Sequence, residues 1–419
     1  MKQNYLIAGI LTITCLTGLF SCKKSPADLQ PQNPNMVTNI NTGTAKLNLV
    51  PINLARQIAS HRPKDSVDIR LNEDLSTLPA RPIESEFTYK GKDGYPDYYA
   101  FNYSDGGFIL IAADLKSRTI LAHAEKGVWG KTAFPDGVGF WMGKMTGYID
   151  FIRRHLDSIP ADRLAVWSHL LPDQPFAQTA APASTKTPDN VPPAKCTPNT
   201  VYFYYGTQIS TSWGQGCGYN SNCPGNVYGP CQHDLTGCAA TALAQIAYYF
   251  KFPTRYNYTS MPLTAVNGSV NSDLQGLMSD MGGYVNMQYG PNSSDAYDYS
   301  IVPALQNSLG YTSARLIAYD DNAIPTIQND IRNLNEPVLF IGWDNSGAGG
   351  HIWVGDGYAI ASILNTQCII SYEMAYYHMN WGWGEIGANN YIGWYNYYIW
   401  AADGYDFGTN TEVVLDIHP

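Results

Sequence analysis

The first pattern along the chain is an apolar stretch, Tyr5 to Phe20, with one basic residue ahead of it and Ser21-Cys22 behind. It is short for a membrane span and lacks a span's flanks, so it reads as a secretory signal. Sequence rich in Pro, Asn, Gln and Thr follows from Lys23 to about Lys46 and predicts a flexible tether. Patterned segments return between about Leu47 and Leu171. Asn53 to Ser60 reads as a short helix. Tyr98 to Tyr103 and Phe108 to Ala113 are strand-like runs around Ser104-Asp105-Gly106-Gly107, a hairpin turn. Arg118 to Ala124 predicts a further strand, and Val138 to Leu156 a helix. Periodicity then stops: Phe176 to Lys195 is Ala/Pro/Thr-rich and predicts an extended, protease-sensitive linker. The expected division is residues 1–21 signal, 22–46 tether, 47–175 a small α+β unit, 176–195 linker, and 196–419 a larger domain.

A length of 419 residues suits two folded units plus extensions. Hydrophobic content of 45% supplies cores, and the net charge of −10 comes without any Lys/Arg-rich run longer than a pair. Nucleic acid and anionic membrane surfaces are therefore poor partners, and membrane contact is expected only through a lipid. That lipid has a candidate site. Leu19-Phe20-Ser21-Cys22 resembles a bacterial lipobox, whose cysteine is lipidated and becomes the mature N-terminus, although Phe20 departs from the commonest residues there. The expectation is an outer-membrane lipoprotein anchored at Cys22, facing the periplasm or the cell surface. A secreted protein cut near Ser21 is the alternative.

Export changes how the remaining cysteines are read. In an oxidising compartment Cys196, Cys217, Cys223, Cys231, Cys238 and Cys368 suggest disulfides. Cys217, Cys223 and Cys231 crowd the loop GQGCGYNSNCPGNVYGPC and, with His233, could hold zinc. The spacing lacks the CxxC knuckle of structural zinc, so a disulfide of open connectivity is expected, and no metal or cofactor. Asp320-Asp321-Asn322 reads as a turn or helix cap rather than a calcium loop.

The segment TGCAATALAQIAYYFKFP, Thr236 to Pro253, is an almost chargeless helix that opens with Cys238 after a glycine. In a first turn, unpaired backbone N–H groups and the macrodipole favour a thiolate. A thiol nucleophile needs an imidazole, and the imidazole an orienting group. His351 follows a loop almost without side chains, Asn345 to Gly350, and precedes the apolar run Ile352 to Gly355. Asn380 can accept the histidine's N–H, and Trp381 can shield that bond from water. Taken singly, these residues also read as a buried structural cysteine, a strand-end histidine and an aromatic strand ending in a glycine turn.

The order Cys, His, Asn-Trp is papain-like, and residues 200–400 resemble more narrowly the streptopain family of bacterial cysteine peptidases (peptidase family C10). The matching stretches are Trp213-Gly214-Gln215 with Tyr219-Asn220, Thr236 to Ile246, Met281 to Pro291, Gly349 to Tyr358 and His378 to Gly384. The unit before the linker is similar to that family's propeptide, especially Gly106 to Asp114. The resemblance implies an α+β fold: a papain-like domain, its central helix packed on an antiparallel β-sheet or barrel, preceded by a small α+β propeptide domain. It implies an endopeptidase made as a zymogen, its own propeptide acting as intramolecular inhibitor, and a cut between about Phe176 and Lys195. Substrates would be proteins or peptides, with a tendency to bulky apolar side chains two residues before the scissile bond.

Residue by residue, Cys238 matches the nucleophile, His351 the general base and acid, Asn380 the group that orients the histidine, and Trp381 its shield. Gln215 matches the oxyanion donor, helped by the backbone N–H of Cys238; one such donor is worth on the order of 3 kcal/mol. Glu385 stands where the family often has glycine, and Ala239 replaces a commoner valine. Cys217, beside Gln215, would either tie the oxyanion loop or oxidise with Cys238. A peptidoglycan amidase or transglutaminase-like enzyme on the same fold, and a non-catalytic surface-binding lipoprotein, are the other readings.

Overall fold

The computed structural model describes residues 38–41, 46–61, 80–131, 134, 136–171, 173–174, 200–265, 271–343, 350–364, 370–384, 391–396, 401–402, 405–406 and 411–419. The signal stretch with Cys22, the linker, Cys196, Cys368 and Glu385 lie outside these residues.

The N-terminal unit begins with a small hairpin, β1 (Thr38–Asn41) and β2 (Lys46–Leu49), and helix α1 (Ile52–Ser60). Helix α1 buries Leu54, Ala55, Ile58 and Ala59, a stripe at helical spacing, against β4 (Pro96–Tyr103) and β5 (Phe108–Ala112). Those strands form the expected hairpin, flanked by β3 (Ile83–Lys90) and β6 (Ile120–Ala124). Its turn needs glycine twice. Gly106 and Gly107 have φ of 88° and 86°, and a Cβ at Gly107 would lie 2.3 Å from the Ala124 carbonyl oxygen. Helix α2 (Asp136–His155) matches the predicted helix within two residues. Helix α3 (Ala161–Leu170) was not anticipated; its Trp167 is buried and donates to the Ser117 carbonyl.

The C-terminal unit contains β7 (Thr200–Tyr205), α4 (Cys238–Phe250), α5 (Ser272–Tyr284), the short α6 (Ile301–Pro303), β8 (Arg315–Ala318) and α7 (Ala323–Asn329). There follow β9 (Val338–Trp343), β10 (Gly350–Leu364), β11 (Ile370–Asn380) and β12 (Gly393–Asn396). A minor pair, β13 (Ala401–Ala402) and β14 (Tyr405–Asp406), precedes β15 (Thr411–Leu415). Helix α4 is buried from Ala239 to Ala247, packed between α5 and β10, so its lack of charge follows from its central position. It ends where Lys251 turns left-handed, φ 53°. Asp320 accepts the backbone N–H groups of Asn322 and Ala323 at the start of α7, the capping role expected of that acidic cluster.

Both units share one antiparallel sheet of 11 strands, ordered β3-β4-β5-β6-β12-β11-β10-β9-β15-β8, with β7 also paired to β10. Gly350 to Gly355 of β10 pair with β9, and Tyr358 to Ile363 pair with β7. Asp356 sits at the bulge between them. The units meet at β6 and β12, where Trp394 pairs with His123 and Tyr395 with Ala122. One core runs along the sheet through both units, and a second surrounds α4 and α5.

Candidate active site

The thiol comes from α4. Gly237 precedes it at φ 87°, and a Cβ there would lie 2.5 Å from Met287 Cε and 2.9 Å from the Ser294 carbonyl, so only glycine lets the chain enter the helix here. Cys238 is therefore the first helical residue; it is half-buried and not disulfide-bonded. The lead-in is fastened on two sides. Thr236 N–H donates to the Gln215 carbonyl (3.0 Å), and Leu235 N–H to the Gly290 carbonyl (3.1 Å).

His351 is the second residue of β10 and is buried, 2% exposed. Its Nε2 lies 2.8 Å from the Trp381 carbonyl, so that nitrogen carries the proton and donates. Its ring runs nearly parallel to the indoles of Trp353 and Trp383, centroids 6.0 and 5.8 Å away. Burial pulls its pKa down to about 4, only partly offset by the bond to Trp381. It is neutral in this form.

Asn380 stands at the end of β11, but its side chain does not take the expected bond from His351. Its Nδ2 donates to the Thr211 carbonyl (2.7 Å) and to Gln245 Oε1 (2.9 Å), and its Oδ1 accepts the Gly382 N–H (3.2 Å). The reason is local: the amide is fully engaged, and a backbone carbonyl one residue on already meets the imidazole N–H. Trp381 thus touches the histidine through its main chain, while its buried indole packs on Trp353 and Tyr395. Gln215 is buried, and its Nε2 points to the Gly382 carbonyl at 3.4 Å. The turn Asn380-Trp381-Gly382 therefore meets both His351 and Gln215.

Helix α2 of the N-terminal unit closes the site from outside. A Cβ on Gly137 would lie 2.3 Å from His351 Cδ2, 2.9 Å from its Nε2 and 2.6 Å from Trp381 Cε3. The backbone of α2 thus lies directly against the imidazole edge that bonds Trp381. Phe140 covers Gly342 and faces Trp353 at 5.9 Å, and Trp141 meets Tyr395 edge-on at 5.0 Å.

In the cysteine loop Cys217 is bonded to Cys231, with Cα atoms 5.4 Å apart. This rules out the zinc arrangement and the pairing of Cys217 with Cys238, and it braces the loop two residues beyond Gln215. Cys223 remains a buried thiol rather than a disulfide partner, pushed up to about 12 by burial and then by the charge of Asp234. Sequence reasoning missed Gly137, Thr211, Trp383 and Gln245. Only Gln245 left a signal: it is the one long polar side chain in the chargeless stretch Ala239 to Ala247.

Comparison with known proteins bears on both units. Residues 213–267 and 254–395 match the model of the Peptidase C10 family, and residues 53–149 match that of the Spi protease inhibitor. The chain is 25% identical over 382 residues to the thiol protease/hemagglutinin PrtT of Porphyromonas gingivalis, a match covering 80% of this chain and 39% of that relative's length. It is 25% identical over 340 residues to streptopain of Streptococcus pyogenes, covering 69% of this chain and 71% of streptopain. The fold is similar to a fragment of Prevotella intermedia prointerpain A, with a TM-score of 0.53 at 21% identity, covering 80% of this chain and 99% of the fragment.

Proposed function

The chain belongs to the Peptidase C10 family, and from that premise we propose that it is a cysteine endopeptidase made as a zymogen. The observation that carries the reading is the turn Asn380–Gly382, which meets His351 and Gln215 beside the helix that opens with Cys238. Its N-terminal unit, residues 47–175, serves as the propeptide, and its substrates are proteins or peptides.

In this form the site is held off. Gly137 crowds the imidazole, and the buried ring stays neutral. Cutting the linker between about Phe176 and Lys195 and releasing α2 frees that edge. Nε2–H stays on the Trp381 carbonyl, which Asn380 orients by holding the turn, while the other ring nitrogen takes the Cys238 proton. The thiolate attacks the peptide carbonyl, and its oxyanion accepts hydrogen bonds from Gln215 Nε2 and the Cys238 N–H. Collapse expels the amine, which receives its proton from His351. The imidazole then removes a proton from water, which hydrolyses the thioester and restores the thiol. Cys22 would carry a lipid that holds the enzyme to the outer membrane after export.

The test is incubation of the full chain under reducing conditions beside Cys238→Ala, followed by intact mass and casein hydrolysis. The expected result is a cut within 176–195 and casein cleavage in the wild type alone. A chain pre-cut in its linker that neither hydrolyses casein nor reacts at Cys238 with a thiol reagent would overturn the reading. Release of peptidoglycan fragments without casein cleavage would assign a different acyl transfer.

A further inference from the structure

Gln245 lies about two helical turns beyond Cys238 on α4 and has no exposed surface. A buried primary amide must find partners for both its oxygen and its N–H groups. Gln245 Oε1 accepts from Asn380 Nδ2 at 2.9 Å and from Thr211 Oγ1 at 3.1 Å. Its Nε2 faces Asn380 Oδ1 at 3.4 Å. Asn380 in turn holds the Thr211 carbonyl and the Gly382 N–H. On the near side of that turn, Thr241 of the same helix packs on Gly382, where a Cβ would lie 3.3 Å from Thr241 Cγ2. Two carbonyls of the turn are then aimed: that of Trp381 at His351, and that of Gly382 at Gln215.

We propose that Gln245 is a positioning residue: it bolts the Asn380–Gly382 turn to the helix carrying Cys238 and so sets both His351 and Gln215 relative to the thiol. It acts through Asn380 and touches no substrate. A glutamine suits the place because it links three segments without adding a charge beside a thiolate–imidazolium pair. The inference rests on the Cys238–His351 reading above.

The experiment compares wild type, Gln245→Met, Gln245→Glu, Asn380→Ala and the Gln245→Met/Asn380→Ala double variant as full chains. Each is cut in its linker by trypsin, which is then blocked with a serine-directed inhibitor. Thermal melting, Cys238 alkylation, kcat and KM are measured on a casein-derived peptide. Gln245→Met should melt as a folded protein and lose kcat by about 10- to 100-fold with KM within about threefold. On the Asn380→Ala background the same change should cost less than about twofold, because the two residues act as one unit. A kcat within about threefold of wild type, or an undiminished loss on the Asn380→Ala background, overturns the proposal. Should Gln245→Met fail to fold, Gln245→Glu decides. It keeps the accepted bonds, and its carboxylate should move the alkaline limb of the kcat/KM profile to higher pH; a profile superimposable on wild type overturns the proposal. If wild type itself neither hydrolyses the peptide nor alkylates at Cys238, the parent reading fails and takes this one with it.

Discussion

Two buried polar clusters fasten this molecule, one ionic and one neutral. In the N-terminal unit Arg153, 1% exposed, bonds Asp97 (2.7 Å), Asp93 (3.2 Å), Asp114 (3.3 Å) and the Pro96 carbonyl. In the C-terminal unit Gln245, Asn380, Thr211 and Gln215 are joined by amide and hydroxyl bonds alone. Both clusters clamp elements that are far apart in sequence, yet their chemistry differs with their neighbours. The ionic one secures the C-terminal end of α2, where Arg153 stands 16 residues and about 24 Å along the helix from Gly137. There a strong field acts on carboxylates that take no part in the chemistry. The amide cluster is tied to the imidazole through the Asn380–Trp381 backbone, where an added charge would shift the titration on which the chemistry depends. Helix α2 thus has a fixed end and an applied end: ions hold the first, and the second reaches His351 with nothing larger than a glycine.

The largest way to break this contrast is Arg153→Ala. Removing one partner strands buried carboxylates, so the N-terminal unit should lose about 3–5 kcal/mol in urea unfolding of the full chain. The loss should shrink at pH 5. Burial already raises Asp97 to about 6, only partly opposed by Arg153, so protonation relieves the stranded charge. An equal loss at pH 5 and pH 7.5 would contradict this.

The second prediction concerns the neutral histidine. His351 titrates at about 4 in the closed form, and near its ordinary value of about 6.5 when the ring is opened to water. Between those values the open form binds the extra proton, so acid favours release of α2, by up to on the order of 3 kcal/mol at pH 4. Alkylation of Cys238 in the uncut chain should therefore speed up as pH falls from 7.5 to 5, after correction for thiolate content. A corrected rate that stays flat would count against it.

The smallest effect sharpens the contact itself. Gly137→Ala places a methyl where the imidazole edge now sits, at an overpacking cost of about 1–3 kcal/mol to the docked state. Latency should weaken while the activity of the pre-cut enzyme stays unchanged. An uncut Gly137→Ala chain alkylated no faster than wild type would mean that α2 does not press on the site.

Much of this protein was legible along the chain because local chemistry decided it. The Gly106-Gly107 turn and the N-terminal position of Cys238 follow from left-handed backbone at glycine and from helix propensity. The candidate set Cys238, His351, Asn380, Trp381 and Gln215 was readable from residue types in a family order. What each residue bonds was not. Sequence reasoning sent the His351 N–H to the Asn380 side chain, whereas in the closed fold it meets the Trp381 backbone. A carbonyl has no signature in a sequence, because every residue has one.

The sheet that runs unbroken from β3 to β8 was equally hidden, since the seam joins His123-bearing β6 to Trp394-bearing β12 across 271 positions. Sequence by itself determined which groups are chemically able to act and where the most strongly patterned helices and strands lie, α1, α2, α4 and the β4–β5 hairpin among them. Tertiary structure decided which of them are partnered, through Gly137 against His351 and Gln245 against Asn380. The physical reason is range: propensity, capping and turn strain act over a few residues, whereas a hydrogen bond or a steric contact in a folded core depends only on distance in space.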